Sequence, residues 1–234
     1  MNIILFDEAP SFIPFSDDRA KHIRNVLHLK EKDVFRAGII NGREIRCTIE
    51  KIDGEGIYVS SESGMDLSPL FPLSLMLAEV RPISMRRILR ESVSIGVGRI
   101  MLVISDLGEK SYRDAGLYKS GEYKKILVDG AMQSGFTGVP PVDFFSSVDE
   151  AVKAIDTDNR ILLDNVVGKQ RLSTMHLDGS LTIAVGPERG WSDRERNVML
   201  SNAFIPALMG NRILRTETAA VASMMMSLAA MDLI

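Results

Sequence analysis

Two short loops carry the residues of this chain whose types and spacing suit the chemistry of a ligand site. The first is Gly186–Gly190, with the sequence GPERG, and it places Glu188 between a proline and an arginine. The second is Gly210–Thr218, which carries Arg215 and Glu217. Glycine allows a backbone to approach a ligand closely, while arginine and glutamate stabilise charge or exchange a proton. The loops therefore predict a binding site with charged groups at hand for catalysis.

Predicted strands and helices place both loops at one edge of a sheet. Leu181–Val185 is an apolar run that ends at the first loop, and Ala203–Leu208 is a second apolar run that leads to the other. A helix is expected to open at Ser192, because Glu195 stands at the capping-box spacing. We expect the two strands to be parallel neighbours, with a ligand beyond their carboxyl ends. In the alternative, the glycines only turn strand to helix and Thr216 only caps a helix.

Together the two loops resemble the signature of the RsmE family of ribosomal RNA methyltransferases, a branch of the SPOUT superfamily. That family has a GPEGG-type loop followed by an LG-x-RILRTETA stretch. Here the two read GPERG at 186–190 and LMGNRILRTETA at 208–219. The resemblance implies an α/β fold with a trefoil-knotted parallel sheet that is covered by helices on both faces. It also implies a small PUA-like β-barrel domain ahead of that sheet.

The composition of the chain is that of an ordinary cytosolic protein. It has 234 residues, of which 45% are apolar and 25% charged, enough for one large or two modest domains. The single Cys47 excludes an internal disulfide, and three scattered histidines make a metal site improbable. We expect no membrane segment and no signal peptide, and hence a cytoplasmic protein. The net charge of −3 provides no global basic field for nucleic acid.

The chain divides into a β-rich beginning and an alternating remainder. Residues 1–68 hold short strands joined by tight turns, including Asn41-Gly42, a dipeptide typical of the type I′ hairpin. Within them, His22–Leu27 resembles the opening of the family's PUA-like RNA-binding domain. In residues 73–234 apolar strands alternate with helices, one of them predicted over 117–133. We therefore expect a PUA-like domain at 1–68 and a SPOUT methyltransferase domain at 73–234.

The resemblance implies a reaction, the transfer of a methyl group from S-adenosylmethionine to N3 of a uridine in the decoding region of 16S ribosomal RNA. The loops would hold this cofactor through backbone N–H and C=O groups. The uridine must leave its stack so that N3 faces the methyl group, and positioning supplies much of the acceleration. The expected cofactor-binding residues are Leu163, Gly186, Glu188, Gly190, Leu208, Gly210, Ile213, Leu214, Thr216 and Thr218.

Three charged residues are the catalytic candidates. N3 reacts better once it has lost its proton, so a cation beside the uracil carbonyls favours methyl transfer. Arg215 is the candidate for that cation; in the alternative, it forms a structural salt bridge with Glu188 or Glu217. Either glutamate is a candidate general base, and either can instead hydrogen-bond loop backbone. The choice of base stays open.

Contact with RNA is assigned to residues outside the two loops. Arg86, Arg87 and Arg90 share one helical face, which suits either phosphate contact or a solvated surface. His22 fits either an RNA contact or a plain helix surface. The full set of RNA-binding candidates is His22, Arg24, Arg86, Arg90, Lys110 and Gln133.

Four positions depart from the family's pattern. Arg189 stands where GPEGG has its second glycine, and Phe136 replaces the arginine of a QSGR-type segment. Lys110 lies in a variant of an ERS-type segment, and Ser94 in a variant of ELGV. These segments are expected to shape the pocket or to face RNA. The cofactor signature is thus better preserved than the substrate side.

The last helix, expected over Thr216–Leu233, consists almost entirely of Ala, Met, Val and Leu. A helix that is apolar all round is buried, either in the core or at the homodimer interface that the resemblance implies. The expected partners are therefore a second copy of the chain and 16S ribosomal RNA or the small ribosomal subunit, without membrane or metal.

Three rival functions stay open beside uridine methylation. They are an inert RNA-binding or ribosome-assembly protein, a SPOUT enzyme acting at another RNA position, and an α/β enzyme that uses a different nucleotide cofactor. Against the last, the sequence has no early glycine-rich fingerprint and no P-loop pattern.

Overall fold

The computed structural model describes residues 2–66 and 68–234, which form two compact units. One unit comprises the chain up to Pro69 together with Val128–Val139. The other comprises Leu70–Leu127 and Pro140–Ile234. The domain boundaries expected from the sequence stay a prediction. The segment Val128–Val139 of the first unit lies within 73–234, the range that the sequence analysis assigns to the second domain.

The first unit is built on a sheet that has five strands within the described residues. Its elements are β1 (Ile4–Phe6), β2 (Phe12–Pro14), α1 (Asp18–Asn25), β3 (Val34–Ile39), β4 (Glu44–Ile52) and β5 (Gly56–Ser63). The strand order is β1-β3-β4-β5-β2, with β1 and β3 parallel and the other neighbours antiparallel. Alternate residues of β4, such as Ile45, Cys47 and Ile49, are buried, because successive side chains of a strand face opposite sides of the sheet.

The hairpin between β3 and β4 forms where Asn41-Gly42 predicts it, but its turn is not type I′. Asn41 has a φ of 56°, whereas Gly42 lacks the positive φ that a type I′ turn requires at both central residues. The N–H of Gly42 donates to the carbonyl of Ile39 at 2.8 Å, and the N–H of Ile39 donates to the carbonyl of Arg43 at 3.0 Å. The connection is therefore longer than a type I′ turn.

The second unit holds a sheet with seven parallel strands within the described residues, as the alternation of strands and helices predicts. Its elements, with α4 crossing into the first unit, are β6 (Phe71–Ala78), α2 (Pro82–Ile95), β7 (Val97–Val103), α3 (Gly116–Lys119), α4 (Glu122–Ser134), β8 (Val142–Phe145), α5 (Val148–Lys153), β9 (Asn159–Leu163), β10 (Gln170–Arg171), β11 (Leu181–Val185), α6 (Asp193–Ser201), β12 (Ile205–Leu208) and α7 (Thr216–Ala230). Two 3₁₀ turns cover 110–114 and 172–174.

The expectation that the strands before the two loops are neighbours is wrong. The strand order is β10-β12-β9-β11-β6-β7-β8, so β9 lies between β11 and β12. Leu163 of β9 is in register with Val185 of β11 and with Ala207 of β12. Three strands, rather than two, therefore end side by side at the carboxyl edge of the sheet.

The single helix predicted over 117–133 is also wrong. The chain forms the short α3 and the longer α4, with Ser120 and Gly121 between them. Gly121 has a φ of 75°, a left-handed conformation that ends a helix and that glycine adopts without steric cost. An apolar pattern that continues across such a glycine resembles one helix when only the sequence is read.

The last helix, α7, is buried on one face only. Ala220, Met224 and Leu228 are fully buried, and α7 packs on α2, β6 and β11. Met225 is 43% exposed, so a single chain does not bury this helix all round, and its burial at a homodimer interface stays a prediction. None of the helices in the described part of the chain is long and apolar enough to cross a membrane.

Candidate active site

A cavity of about 890 Å³ lies at the carboxyl ends of β9, β11 and β12. Because these strands end in register, the segments that follow them surround one space. The start of α2 completes the wall with Arg81 and Ser84. Ligands of open α/β sheets bind beyond the carboxyl ends of the strands, so this cavity is the candidate active site.

The cavity brings together the cofactor-binding candidates, with Thr218 as the exception. Thr218 is exposed on α7 and does not belong to the lining. The three catalytic candidates line the same cavity. The predicted residues in the lining are Leu163, Gly186, Glu188, Gly190, Leu208, Gly210, Ile213, Leu214, Arg215, Thr216 and Glu217.

The first loop is held rigidly between β11 and α6. The N–H of Gly190 donates to the carbonyl of Pro187 at 2.9 Å, and Gly190 has a φ of 71°. A Cβ added to Gly186 would lie 3.1 Å from Nε1 of Trp191, a ring that is only 1% exposed. A side chain at 186 would have to displace this indole by a few tenths of an ångström, so the packing favours glycine there. The sequence interpretation instead assigned the lack of a side chain to close approach of the cofactor.

The capping box predicted at the start of α6 is confirmed. The hydroxyl of Ser192 accepts from the N–H of Glu195 at 3.1 Å, and the Glu195 carboxylate accepts from the N–H of Ser192 at 2.8 Å. The same carboxylate also accepts from the N–H of Asp106 at 2.9 Å. Glu195 thereby ties the segment after β7 to the loop that lines the cavity.

The second loop needs glycine at 210 for its backbone conformation. Gly210 has a φ of 142°, and a Cβ there would meet nothing within 4 Å, so conformation rather than crowding restricts this position. The N-cap of α7 is Arg215, so the alternative in which Thr216 caps the helix is wrong. No side-chain hydrogen bond caps α7 or α2, whose N-cap is Arg81. Both helix starts therefore keep backbone N–H groups without a side-chain partner at the wall of the cavity.

Arg215 is exposed and forms no salt bridge with the residues that the structure describes. Among the described residues, neither Glu188 nor Glu217 lies within the 4.0 Å that defines an ion pair with it. The charge of Glu188 acts instead on Arg81, whose guanidinium also interacts with Tyr112. Tyr112 and Glu188 together raise the pKa of Arg81 above its ordinary value. The alternative that explained Arg215 by a salt bridge therefore has no support in the geometry.

A buried ion pair that sequence reasoning missed forms one wall of the cavity. The guanidinium of Arg196 donates to the Asp164 carboxylate at 2.8 Å, with the two side chains 12% and 2% exposed. Burial disfavours the charge of Arg196, but Asp164 and Asp193 outweigh it and raise the pKa of the guanidinium. Asp164 also accepts from the N–H groups of Val166 and Val167, which shapes the segment after β9. An aspartate directly after an apolar strand is a signal that would have identified this residue.

Charge distinguishes the cavity from the rest of the chain. Its lining includes five arginines and three carboxylates, in a protein of net charge −3. Two of the arginines, Arg81 and Arg196, have carboxylates as neighbours. No group of histidine, cysteine and carboxylate side chains suited to a metal ion occurs in the part of the chain that the structure describes. The remaining positive charge suits an anionic substrate.

The candidates for RNA contact lie outside the cavity lining. Arg24 stacks on the ring of Phe15; the distance from Cζ of Arg24 to the ring centroid is 4.5 Å. Burial lowers the pKa of His22, so this side chain does not offer a cation to phosphate at neutral pH. Its Nε2 has no hydrogen-bond partner among the described residues. Gln133 lies in the last turn of α4 and is exposed.

Three further RNA candidates belong to the second unit. Arg86 donates to Glu122 at 2.7 Å, so its charge is already compensated. Arg90 is exposed on the same helix, and Lys110 is exposed at the start of a 3₁₀ turn. Arg90 and Lys110 are therefore the better placed of the three for phosphate contact.

Comparison with known proteins gives two family matches and several relatives. Residues 67–227 match the family model of an RNA methyltransferase domain, and residues 15–60 match that of an RNA methyltransferase PUA domain. The chain is similar to ribosomal RNA small subunit methyltransferase E of Treponema pallidum, with 36% identity over 95% of this chain and 89% of that protein. It is similar to ribosomal RNA small subunit methyltransferase E 1 of Borreliella burgdorferi, with 32% identity over 95% of both chains.

The fold is also that of a solved relative. A ribosomal RNA small subunit methyltransferase E from Neisseria gonorrhoeae, whose crystal structure contains S-adenosyl methionine, superposes with a TM-score of 0.80. The match covers 98% of this chain and 97% of that chain at 23% identity. This likeness confirms the predicted fold class, a parallel α/β sheet preceded by a PUA-like unit. The trefoil knot stays a prediction.

Fold, cavity and family matches together define the class, an RNA methyltransferase that carries a PUA domain. Within this class, the chain belongs to the family of ribosomal RNA small subunit methyltransferase E. The family predicted from the loops at 186–190 and 208–219 is therefore confirmed.

Proposed function

We propose that this chain methylates N3 of a uridine in the decoding region of 16S ribosomal RNA, with S-adenosylmethionine as the methyl donor. Family membership supports the class of reaction, a methyl transfer to the RNA of the small ribosomal subunit. The observation that carries the proposal is the cavity that joins both loops at the carboxyl edge of the sheet. The choice of uridine N3 rests on the RILRTETA segment at 212–219 and on Arg215 beside the cavity.

The residues present fit S-adenosylmethionine. A volume of about 890 Å³ lies within the roughly 300–1,000 Å³ of small-molecule sites. Leu163, Val185 and Leu208 offer apolar surface to the adenine, and the open space at Gly210 lets a ligand reach the backbone. The starts of α2 and α7 offer N–H groups to the carboxylate of the amino-acid part. When bound, this cofactor supplies an electrophilic methyl group on a sulfonium.

Arg215 and a glutamate account for the chemistry at N3. Arg215 has no carboxylate partner in the part of the chain that the structure describes, so its guanidinium is available to the uracil carbonyls, where it favours the N3 anion. As the bond from N3 to the methyl carbon forms, the carbon–sulfur bond breaks and its electron pair stays on sulfur. The N3 proton passes to a carboxylate. Glu217 is the better base of the two candidates, because the charge of Glu188 already acts on Arg81.

A second copy of the chain is part of the proposal. The exposed side of α7 presents Met225, and the end of the chain presents Leu233 and Ile234, at 43%, 38% and 59% exposure. These exposed apolar side chains on and after α7 support a second copy of the chain, because a partner that covers them would remove their apolar surface from water. We therefore propose a homodimer that acts in the cytoplasm, where ribosomal subunits assemble. Light scattering tests the dimer, and Met225→Glu should shift it to monomer.

Methyl transfer to small ribosomal subunits from cells that lack this protein tests the function. Mass spectrometry of the digested 16S ribosomal RNA should detect one new N3-methyluridine, located in the decoding region. A methyl group at another nucleotide would favour the SPOUT enzyme of different position specificity. RNA binding without any transfer, by protein that binds the cofactor, would favour the inert RNA-binding protein.

A further inference from the structure

Arg189 is an exposed cation in the cavity lining that has no partner among the described residues. Its side chain makes no hydrogen bond, ion pair or ring contact with any residue that the structure describes. Two other arginines of the lining differ, since Arg196 is bound to Asp164 and the charge of Glu188 acts on Arg81. The fold therefore has no evident use for the charge of Arg189.

The backbone that carries Arg189 is fixed. It lies between Pro187, which is buried, and Gly190, whose N–H closes the turn onto the Pro187 carbonyl at 2.9 Å. Trp191 follows directly and is 1% exposed. An arginine on such a base loses little freedom in its backbone when it binds, because the loop is already ordered.

The charges of the proposed ligands determine which of them Arg189 can bind. The sulfonium of the cofactor repels a second cation, so an unpaired arginine in the lining is unfavourable until an anion arrives. RNA brings such an anion, since a nucleotide that leaves its stack to enter the cavity carries its phosphates to the rim. In the GPEGG pattern this position is glycine, so the cation is an addition in this chain rather than a requirement of the loop.

We propose that Arg189 is an RNA-binding residue that contacts the RNA phosphate next to the target nucleotide. The planar guanidinium donates two parallel N–H bonds to one phosphate, which fixes the register of the strand at the cavity. This inference rests on the proposed RNA substrate. It assigns to Arg189 a role in holding RNA, and none in binding the cofactor or in the chemical step.

Three variants test the assignment. Arg189→Gln removes the charge, Arg189→Lys keeps it without the planar fork, and Arg171→Gln removes an exposed arginine of β10 that lies outside the cavity. The binding assay uses a 16S RNA fragment that spans the decoding region, titrated at several salt concentrations with S-adenosylhomocysteine present. Methyl transfer to unmethylated small subunits then gives kcat and KM, and calorimetry gives the Kd of the cofactor.

The substitutions at Arg189 are expected to change RNA binding alone. With Arg189→Gln, KM for the subunit and the Kd of the fragment should rise about tenfold or more, as for one charge-assisted bond. The slope of log K against log salt should fall by about 0.7–0.9, the contribution of one phosphate. Arg189→Lys should keep the wild-type slope, and Arg171→Gln should behave as wild type.

Three outcomes would overturn the assignment to an RNA phosphate. They are a wild-type slope and Kd in Arg189→Gln, an equal loss in Arg171→Gln, and a Kd for the cofactor that rises as much as KM. The proposed function is tested separately by the wild-type protein. It fails if the wild-type protein transfers no methyl group to RNA. The titration of the fragment still decides the role of Arg189 in that case.

Discussion

Replacing Arg215 with lysine separates catalysis from structure at the centre of the candidate site. The variant keeps the positive charge but loses the planar fork that reaches two acceptors. In the structure Arg215 is exposed, and no carboxylate among the described residues pairs with it. Its contribution to the fold is that of the N-cap residue of α7, where its side chain makes no capping bond. Its side chain is therefore dispensable for folding.

The magnitudes follow from these contacts. Because no structural bond is lost, the free energy of unfolding should change by no more than about 0.5 kcal/mol, as for an ordinary surface substitution. A preorganised donor aimed at developing charge contributes about 3–4 kcal/mol to transition-state binding, which corresponds to roughly a hundred- to a thousandfold in rate. Arg215→Lys should therefore slow methyl transfer by about that factor while the Kd of the cofactor stays within about twofold.

Single-turnover methyl transfer to unmethylated small subunits, at saturating cofactor, measures the chemical step. A thermal melt and a cofactor titration of the same preparation supply the controls. The reasoning is refuted if the variant transfers the methyl group at the wild-type rate. It is refuted equally if the variant melts well below wild type and binds cofactor weakly, because the side chain would then serve the fold.

Three further substitutions test the walls of the cavity. Gly210→Val should raise the Kd of S-adenosylhomocysteine by calorimetry, since a φ of 142° strains any side chain; unchanged affinity would contradict this. Trp191 is the only tryptophan of the chain and lines the cavity, so its fluorescence should change when cofactor binds and the signal should vanish in Trp191→Phe. Asp164→Asn should lower the free energy of unfolding in urea by about 3–5 kcal/mol, because it breaks a buried ion pair with Arg196. The matched control Asp193→Asn, at a carboxylate that is 95% exposed, should cost less than about 1 kcal/mol.

Local signals in the sequence predicted the elements next to the site. The strand Leu181–Val185 forms with the predicted bounds, and the capping box at Ser192 forms as its spacing indicates. Both depend on residues close together in the chain, and such short-range patterns are legible without a structure. The family motif added the identity of the loops, which periodicity alone did not provide.

Strand order is where the sequence interpretation was wrong. Nothing in Asn159–Leu163 distinguishes a strand that inserts between β11 and β12 from one at an edge, since all three strands are short and end in apolar residues. Order in a parallel sheet depends on contacts between residues far apart in the chain, and chain connections constrain it only loosely. The same holds for the pair of Asp164 and Arg196, which brings together residues 32 positions apart.

The distribution of charge explains how an acidic protein can hold an anionic substrate. Folding uses one arginine of the cavity internally, in the pair of Arg196 and Asp164, and the nearby charge of Glu188 favours the charge of Arg81. Arg189, Arg212 and Arg215 keep their charges free of carboxylate partners within the described residues. Screening limits the attraction between separated charges to about 10 Å at 0.1 M salt, so a net charge of −3 spread over the whole chain matters little at the cavity. In the proposed function, a few unpaired guanidiniums at the cavity position RNA without making the protein as a whole basic.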